Sequence, residues 1–488
     1  MLLRLDGPGT LAEQVYDGLR LAILDGTLPP GSRLPSTRAL AGESGVSRTT
    51  TQAAFDQLIA EGYLETRPGS GTYVAAELPD GSMSAERARS TAAQPVAPNI
   101  RFSAFGRCLA DRRFEAPNPN HAVRYNFRYG LPPVEAFPYD VWRRLLNRQI
   151  QDVSLRSLRY GEAEGSPALR EAIASYLARS RGVVCSAEQV VVINGSQQGL
   201  DLTARLLVEP GDAVVVEEPQ YQGARNAFVA AGARLIPIPV DADGLDPDRL
   251  PVDDASVRLA YVTPSHQFPA GGVMPIARRL ALLAWAERAG AVVIEDDYDS
   301  EYRYDGRPIP ALQGLDRSGR VVYIGTFSKV LFPSLRIGYA VLPKSLLGPF
   351  AAAKWLADRH TPTIEQETLA AFIDEGHFER HLRRSRAANA LRRAALLSSL
   401  DDAFGDRIEI TGSNAGIHVV TWFQDLGAGQ TDEIVAGAKA VGVGVYPVAP
   451  YYLTPPARAG LLLGYASLDE RQIHVGIAKL ANVVAAIR

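Results

Sequence analysis

Lysine is almost missing from this chain. Lys and Arg together number 51, yet only residues 329, 344, 354, 439 and 479 are Lys, and none precedes position 329. Chemistry that needs a side-chain primary amine is therefore confined to five places. Cysteine is equally scarce: Cys108 and Cys185 are too few for a disulfide framework or a cysteine metal cluster, and no metal site is expected. No apolar run reaches the ~18 residues of a membrane-spanning helix. The opening Met-Leu-Leu-Arg-Leu-Asp-Gly-Pro lacks the apolar core and cleavage site of a secretory leader, so a cytoplasmic location is expected. A net charge of −3 gives no global basic field, and affinity for nucleic acid has to come from local patterning. What remains is an ordinary globular composition, 46% hydrophobic and 22% charged. A length of 488 residues leaves room for about three domains of ~150, or one small and one large.

The first lysine stands in the stretch around which the chain is organised, Tyr-Ile-Gly-Thr-Phe-Ser-Lys-Val-Leu-Phe-Pro-Ser-Leu-Arg-Ile-Gly-Tyr, residues 323–339. An apolar strand ends in Gly325, Thr326 and Ser328, small residues that let backbone and hydroxyls approach a ligand. Lys329 follows, and Arg336 lies seven residues on. These are the groups a pyridoxal phosphate (PLP) site needs: an amine to form a Schiff base, hydroxyls and a guanidinium for the phosphate. Only a primary amine forms an imine, so Arg cannot replace Lys329 in that role. The plain alternative is a surface lysine after a strand.

Residues 1–76 read as a winged helix-turn-helix. Apolar residues at 11, 15, 19, 23 and 24 have helical spacing. Asp25–Gly31 breaks that helix, and Ser36 can cap a short second one. Residues 42–46 form the turn, and Ser47 caps a third helix with Phe55, Leu58 and Ile59 inward. Strands 64–67 and 72–74 flank a Gly69-Ser70-Gly71 tip. The cap places Arg48, Thr49 and Thr50 on the first turn of the third helix, where side chains of a recognition helix reach base edges. Arg67 beside the glycines is placed to enter a minor groove. The alternative is a small helical cap domain with solvated arginines. Residues 77–99, rich in Ala, Pro, Ser and charge, read as a flexible linker, with a reach of ~75 Å if fully extended.

From residue 100 to 488, short β-branched runs alternate with longer helical stretches, which predicts a mostly parallel sheet covered by helices. Four strand ends look chemical. Asn194-Gly-Ser-Gln-Gln opens a helix whose amides, with Ser196 and Gln197, can cradle a phosphate; the bland reading is a helix cap. Tyr221 can stack on a flat ring or simply pack. His266, in Thr-Pro-Ser-His-Gln, offers a hydrogen bond to a phenolic oxygen or serves structure alone. Asp296, in Glu-Asp-Asp-Tyr, can pair with a pyridine nitrogen and keep it protonated, while Tyr298 reaches a ring hydroxyl. A solvated acidic turn is the alternative there.

Two resemblances follow from these motifs. Gly31-Ser-Arg-Leu-Pro-Ser-Thr-Arg-Ala-Leu-Ala, Gly45-Val-Ser-Arg-Thr-Thr, Glu61-Gly-Tyr-Leu and Gly69-Ser-Gly-Thr-Tyr-Val resemble the GntR family of bacterial repressors. The likeness implies DNA contacts from Arg38, Ser47, Arg48, Thr49 and Gly69, to which the local pattern adds Arg33, Ser36 and Arg67. The ordered turns of residues 120–488 resemble fold-type I, aminotransferase-class PLP proteins. That likeness implies a Schiff base at Lys329 and a ring-nitrogen partner in Asp296. Tyr298 and His266 fall by the ring hydroxyl, with His266 where the enzymes usually have Asn, and Tyr221 stacks. Ser196, Gln197, Thr326, Ser328 and Arg336 surround the phosphate. Tyr160 matches a tyrosine that reaches the other subunit's phosphate, which implies a dimer. One departure is visible: the enzymes hold the substrate α-carboxylate with an Arg in a late strand, where this chain has Leu462-Leu463-Gly464-Tyr465, leaving Arg458 or another residue to serve.

The fusion resembles the MocR subfamily of transcriptional regulators, as do Glu365-Gln366, Gly376-His-Phe and Ala415-Gly-Ile-His. The resemblance implies a PLP-dependent regulator of operator DNA, a domain-swapped head-to-tail homodimer, and sensing of PLP or of an amine held as an external aldimine. An unclamped pocket fits PLP alone, GABA, taurine or another amine without an α-carboxylate. The alternatives are an active aminotransferase bearing a helix-turn-helix module, and a cofactor-free dimerisation platform.

Overall fold

The computed structural model describes residues 5, 7, 9–79, 100–110, 123–151, 159–304 and 309–487. The chain divides into two compact units, Met1–Arg101 and Phe102–Arg488. Most of the expected linker, residues 80–99, lies outside the described residues.

In the first unit, helix α1 (Leu11–Leu24) starts from a capping box in which Thr10 and Glu13 satisfy each other's backbone amides. Helix α2 (Thr37–Ser44) starts at Ser36, whose hydroxyl accepts from the Ala39 amide at 3.2 Å. Gly45, at φ 69°, ends it. The turn expected over 42–46 is therefore tighter: the left-handed glycine lets α2 run to Ser44 before the chain reverses. Ser47 caps helix α3 (Arg48–Ala60), accepting from the Thr50 amide at 3.1 Å. Phe55 and Leu58 are buried as expected, and Ile59 packs at the edge of the same cluster. Strands β1 (Leu64–Arg67) and β2 (Gly71–Val74) pair antiparallel, Leu64 against Val74 and Arg67 against Gly71. Leu19, fully buried in this small core, should matter. Leu19→Ala is expected to lower unfolding free energy by about 2–5 kcal/mol. A denaturant melt of the variant reads this directly, and a change under about 1 kcal/mol would contradict the packing described.

The second unit is built on an eight-stranded sheet. Its elements are β3 (Val190–Ile193), helix α4 (Ser196–Leu207), β4 (Ala213–Glu218), β5 (Arg234–Asp241), β6 (Gly244–Leu245), β7 (Val257–Val262), β8 (Val292–Asp297), β9 (Val321–Thr326) and β10 (Gly338–Val341). The spatial order is β3-β10-β9-β8-β7-β4-β5-β6. The central pairs are parallel, as the alternation predicts. β10 runs against both β9 and β3, because no crossover helix separates Thr326 from Gly338. The strands are buried on both faces, with Val191, Val214 and Ile294 on one side and Val190, Val215 and Val293 on the other.

After β10 come helix α5 (Lys344–Asp358) and the long helix α6 (His377–Phe404). A smaller four-stranded sheet follows, formed by β11 (Ile408–Thr411), β12 (His418–Gly427), β13 (Tyr446–Pro447) and β14 (Arg458–Gly464), and packed with helix α7 (Glu470–Ala486). No helix among the described residues is long and apolar enough to cross a membrane. The consequence for chemistry is that β4, β7, β8 and β9 all end at one edge of the sheet, facing the start of α4.

Candidate functional site

At that edge the chain encloses a cavity of about 250 Å³. Every candidate cofactor residue except His266 and Tyr160 lines it. Lys329 is enclosed there, and its Nζ donates to the Gly130 carbonyl at 3.0 Å. Gly130 is required by this approach: at φ 73°, a Cβ on it would stand 2.5 Å from the amine. Burial lowers the Lys329 pKa, against the pull of Asp299 and Asp296, while Arg128 and Arg336 push the same way as burial. The amine is thereby biased toward its neutral, nucleophilic form.

Asp296, the penultimate residue of β8, has one carboxylate oxygen accepting from the Tyr261 hydroxyl at 2.8 Å. Burial raises its pKa to about 7, with Tyr261 opposing and Asp297 adding to the rise. Its Oδ1 is buried without a partner. Tyr261 stands across from Ile294 in the β7–β8 register, and Asp296 is two residues beyond Ile294 on the same face. Tyr261 carries no motif of its own, and strand register is the signal that pairs it with Asp296.

Opposite lies a phosphate-sized set of donors. Ser196 and Gln197 begin α4, Thr326 ends β9 and accepts from the Ser328 amide at 3.1 Å, and the buried Ser328 Oγ has no partner. Arg336 adopts φ 54°, and its Nη2 donates to the Asn194 carbonyl at 2.9 Å. Tyr221 stands edge-on to Phe268, ring centroids 5.9 Å apart, and its pKa is pushed up to about 12 by burial and Asp296. Together these test whether PLP fits. The unpartnered Asp296 oxygen suits a pyridine N–H. The unpartnered Ser328 hydroxyl, the α4 N-terminus and Arg336 suit a phosphate. Lys329 is the amine, and PLP fits the donor set.

Three residues singled out in the sequence stand away from the cavity wall. His266 does not line the cavity. It sits behind Tyr298, its Nδ1 3.0 Å from the Tyr298 hydroxyl and 2.9 Å from Asp299 Oδ2. The turn leading to it is pinned from the other side, with Thr263 and Gln267 both bonding Glu217. Phe268 takes the wall position instead. His266, Asp299 and His418 bring ligand-type atoms within 4.8 Å of one another; His266 and Asp299 are bonded directly, and that pair backs the Tyr298 hydroxyl. Nor does Arg458 replace the carboxylate clamp: it is tied to Glu409 at 3.0 Å and Gln424 at 2.9 Å. Leu462 is fully buried among Phe268, Val420 and Trp422. Arg336 is the only guanidinium lining the cavity among the described residues. Tyr160 is 87% exposed, its ring against His360 and away from the cavity. Besides Tyr261, the wall includes Tyr129 and Gly130, which carry no motif, and Ile417 and His418 of the Ala415-Gly-Ile-His stretch, all brought in by long-range folding.

In the first unit, Arg38, Ser47, Arg48 and Thr49 are exposed together around the α2–α3 turn. Arg67 is less free: it bonds Glu65 at 2.6 Å and lies 4.4 Å from the Tyr73 ring centroid. Arg33 packs over Gly71 beside the tip of the wing, which Gly69, at φ 74°, forms.

Comparison with known proteins places both units. Residues 11–74 match the family described as bacterial regulatory proteins, gntR family, and residues 135–477 match aminotransferase class I and II. Over its whole length the chain is 41% identical to the probable rhizopine catabolism regulatory protein MocR of Rhizobium meliloti, covering 96% of that protein. The chain belongs to the MocR-type regulators of the gntR family. A second protein of this MocR architecture, the HTH-type transcriptional regulator TauR of Rhodobacter capsulatus, is 34% identical over 98% of this chain and 97% of its own. Among solved structures, the MocR-type large unit resembles LysN, the α-aminoadipate aminotransferase of Thermus thermophilus complexed with N-(5'-phosphopyridoxyl)-L-leucine. The TM-score is 0.68 and the identity 31%, over 74% of this chain and 92% of that one.

Proposed function

We propose that this MocR-type protein is a PLP-dependent transcriptional regulator whose large unit reads a small amine and whose small unit holds operator DNA. The observation that supports it best is a mismatch within one cavity. The groups that suit PLP are present with unpartnered atoms, while the late-strand position that grips an amino acid's carboxylate in the enzymes is an apolar, buried Leu462. When bound, PLP supplies an aldehyde that condenses with amines and a ring that withdraws electrons. Lys329 offers the amine, Asp296 holds a proton at the ring nitrogen, Tyr261 orients Asp296, and Tyr298 faces the ring hydroxyl. Ser196, Gln197, Thr326, Ser328 and Arg336 hold the phosphate, and Tyr221 and Phe268 exclude water.

The same reading takes residues 77–99 as a tether in a cytoplasmic, head-to-tail homodimer in which Tyr160 completes the partner's site. An amine effector acts by binding two arrangements of the large unit unequally. A gel shift on the DNA upstream of its own gene, with and without PLP and an amine panel, tests this. Binding that changes with ligand is expected; no binding under any condition would remove the reading.

On the DNA side, Arg48 and Thr49 at the start of α3 are proposed as base readers, with Arg38, Ser36 and Ser47 near phosphates and Arg33, Arg67 and Gly69 on the wing. Arg48→Ala is expected to weaken operator binding by about 1–3 kcal/mol and to relax preference at one base pair. An equal loss on random DNA would argue against base readout.

A second reading, turnover of amino acids, draws support from the lowered Lys329 pKa and the likeness to LysN. Steady transamination by the purified protein would decide for it; Leu462 weighs against it.

A further inference from the structure

A network behind the phosphate-side turn ties it to helix α5. Lys354 is fully buried, and its Nζ bonds both carboxylate oxygens of Asp358, at 2.8 and 3.0 Å. Asp358 Oδ2 also accepts from Asn194 Nδ2 at 2.5 Å and from Gln198 Nε2 at 2.7 Å. Gln198 Oε1 accepts from the Asn194 backbone amide at 2.9 Å, which closes a ring of hydrogen bonds. The Asn194 carbonyl, in turn, takes the Arg336 Nη2 at 2.9 Å. None of Lys354, Asp358, Asn194 and Gln198 lines the cavity. Yet they fix both sides of it: Asn194 and Gln198 bracket Ser196 and Gln197, and Asn194 anchors the guanidinium.

The space is tight enough for such anchoring to matter. A Cβ on Gly195 would stand 2.5 Å from Arg336 Nη2, so turn and guanidinium cannot shift independently. One carboxylate meets three donors, two side-chain amides and a buried ammonium, and together they orient it.

We propose that Asp358 is a positioning residue for the phosphate grip, holding the Asn194–Gln198 turn and, through Asn194, Arg336 in the geometry that receives a phosphate dianion. This rests on the reading of the cavity as a PLP site. A network that merely packs α5 against α4 would affect every ligand of the cavity alike. The positioning role acts on the phosphate alone.

The test is the equilibrium affinity of the full chain for PLP and for pyridoxal, which has the same ring and aldehyde without the phosphate. Two variants are used. Asp358→Asn keeps the side chain's shape but cannot satisfy three donors. Gln198→Leu opens the ring from the other side and leaves the Lys354–Asp358 pair intact. Both are expected to weaken PLP binding by about tenfold to a hundredfold while pyridoxal affinity stays within about threefold. Equal losses for both ligands, or none for PLP, would overturn the positioning role. A wild-type protein that binds pyridoxal as tightly as PLP would instead overturn the phosphate assignment itself, and this proposal with it.

Discussion

Replacing Lys329 by Arg is expected to yield a folded protein that loses PLP on dialysis. Its affinity for PLP should fall by about two orders of magnitude, and no shifted visible absorbance band should form. The variant keeps a long basic side chain at this position but removes the primary amine. Arg cannot make the covalent bond, and its larger head meets Gly130, where the native amine already sits 3.0 Å from the carbonyl. Burial also favours a neutral amine, a state that a guanidinium does not reach. Lys329→Ala with added methylamine is the matched control and should recover part of the visible band. Retention of PLP within about threefold of wild type in the Arg variant would contradict the assignment.

The second large effect runs in opposite directions for the empty and the loaded protein. Asp296 is buried, and its pKa is raised from an ordinary 3.8 to about 7. A carboxyl shifted this way favours the folded state fully below its unfolded pKa, and that contribution is lost as pH rises through the folded pKa. Asp296→Asn should therefore make the empty protein more stable than wild type by an amount that grows between about pH 4 and pH 8. The gain approaches about 4 kcal/mol at the alkaline end. The same variant should bind PLP about tenfold to a hundredfold more weakly, because a charge-assisted bond to the pyridine nitrogen is gone. Thermal melts of the two proteins across that pH range, without ligand, give the first result. A stability difference that does not change with pH would show that Asp296 is not the buried, proton-holding group described.

Much of this architecture was legible in the sequence, for local reasons. Ser36 and Ser47 announce their helices because a capping hydroxyl works on amides two or three residues away. The run Val190–Ile193 reads as a buried strand because both faces of a covered sheet demand apolar residues. Lys329, Asp296 and Arg336 are legible because each stands at or near a strand end and brings chemistry that the plain alternatives leave idle. What failed to show was whatever depends on distant parts of the chain meeting. Tyr261 becomes a partner of Asp296 only through register, and Gly130 meets Lys329 across 199 positions. That His266 stands behind Tyr298 is not legible either, because a turn's sequence does not say which side chain reaches the cavity wall; Thr263 and Gln267, both bonded to Glu217, help set the turn. Asp358 lay at the end of an ordinary-looking helix, and nothing in its neighbours hints at Asn194 and Gln198.

The most direct test of the whole account is to incubate the purified wild-type protein with PLP, reduce it with borohydride, digest it and weigh the peptides. The account predicts one phosphopyridoxyl mass increment per chain, on the peptide that holds Lys329, and its loss when a recognised amine is added before reduction. An unmodified Lys329 peptide, or an increment on the peptide of Lys344, Lys354, Lys439 or Lys479, would contradict it.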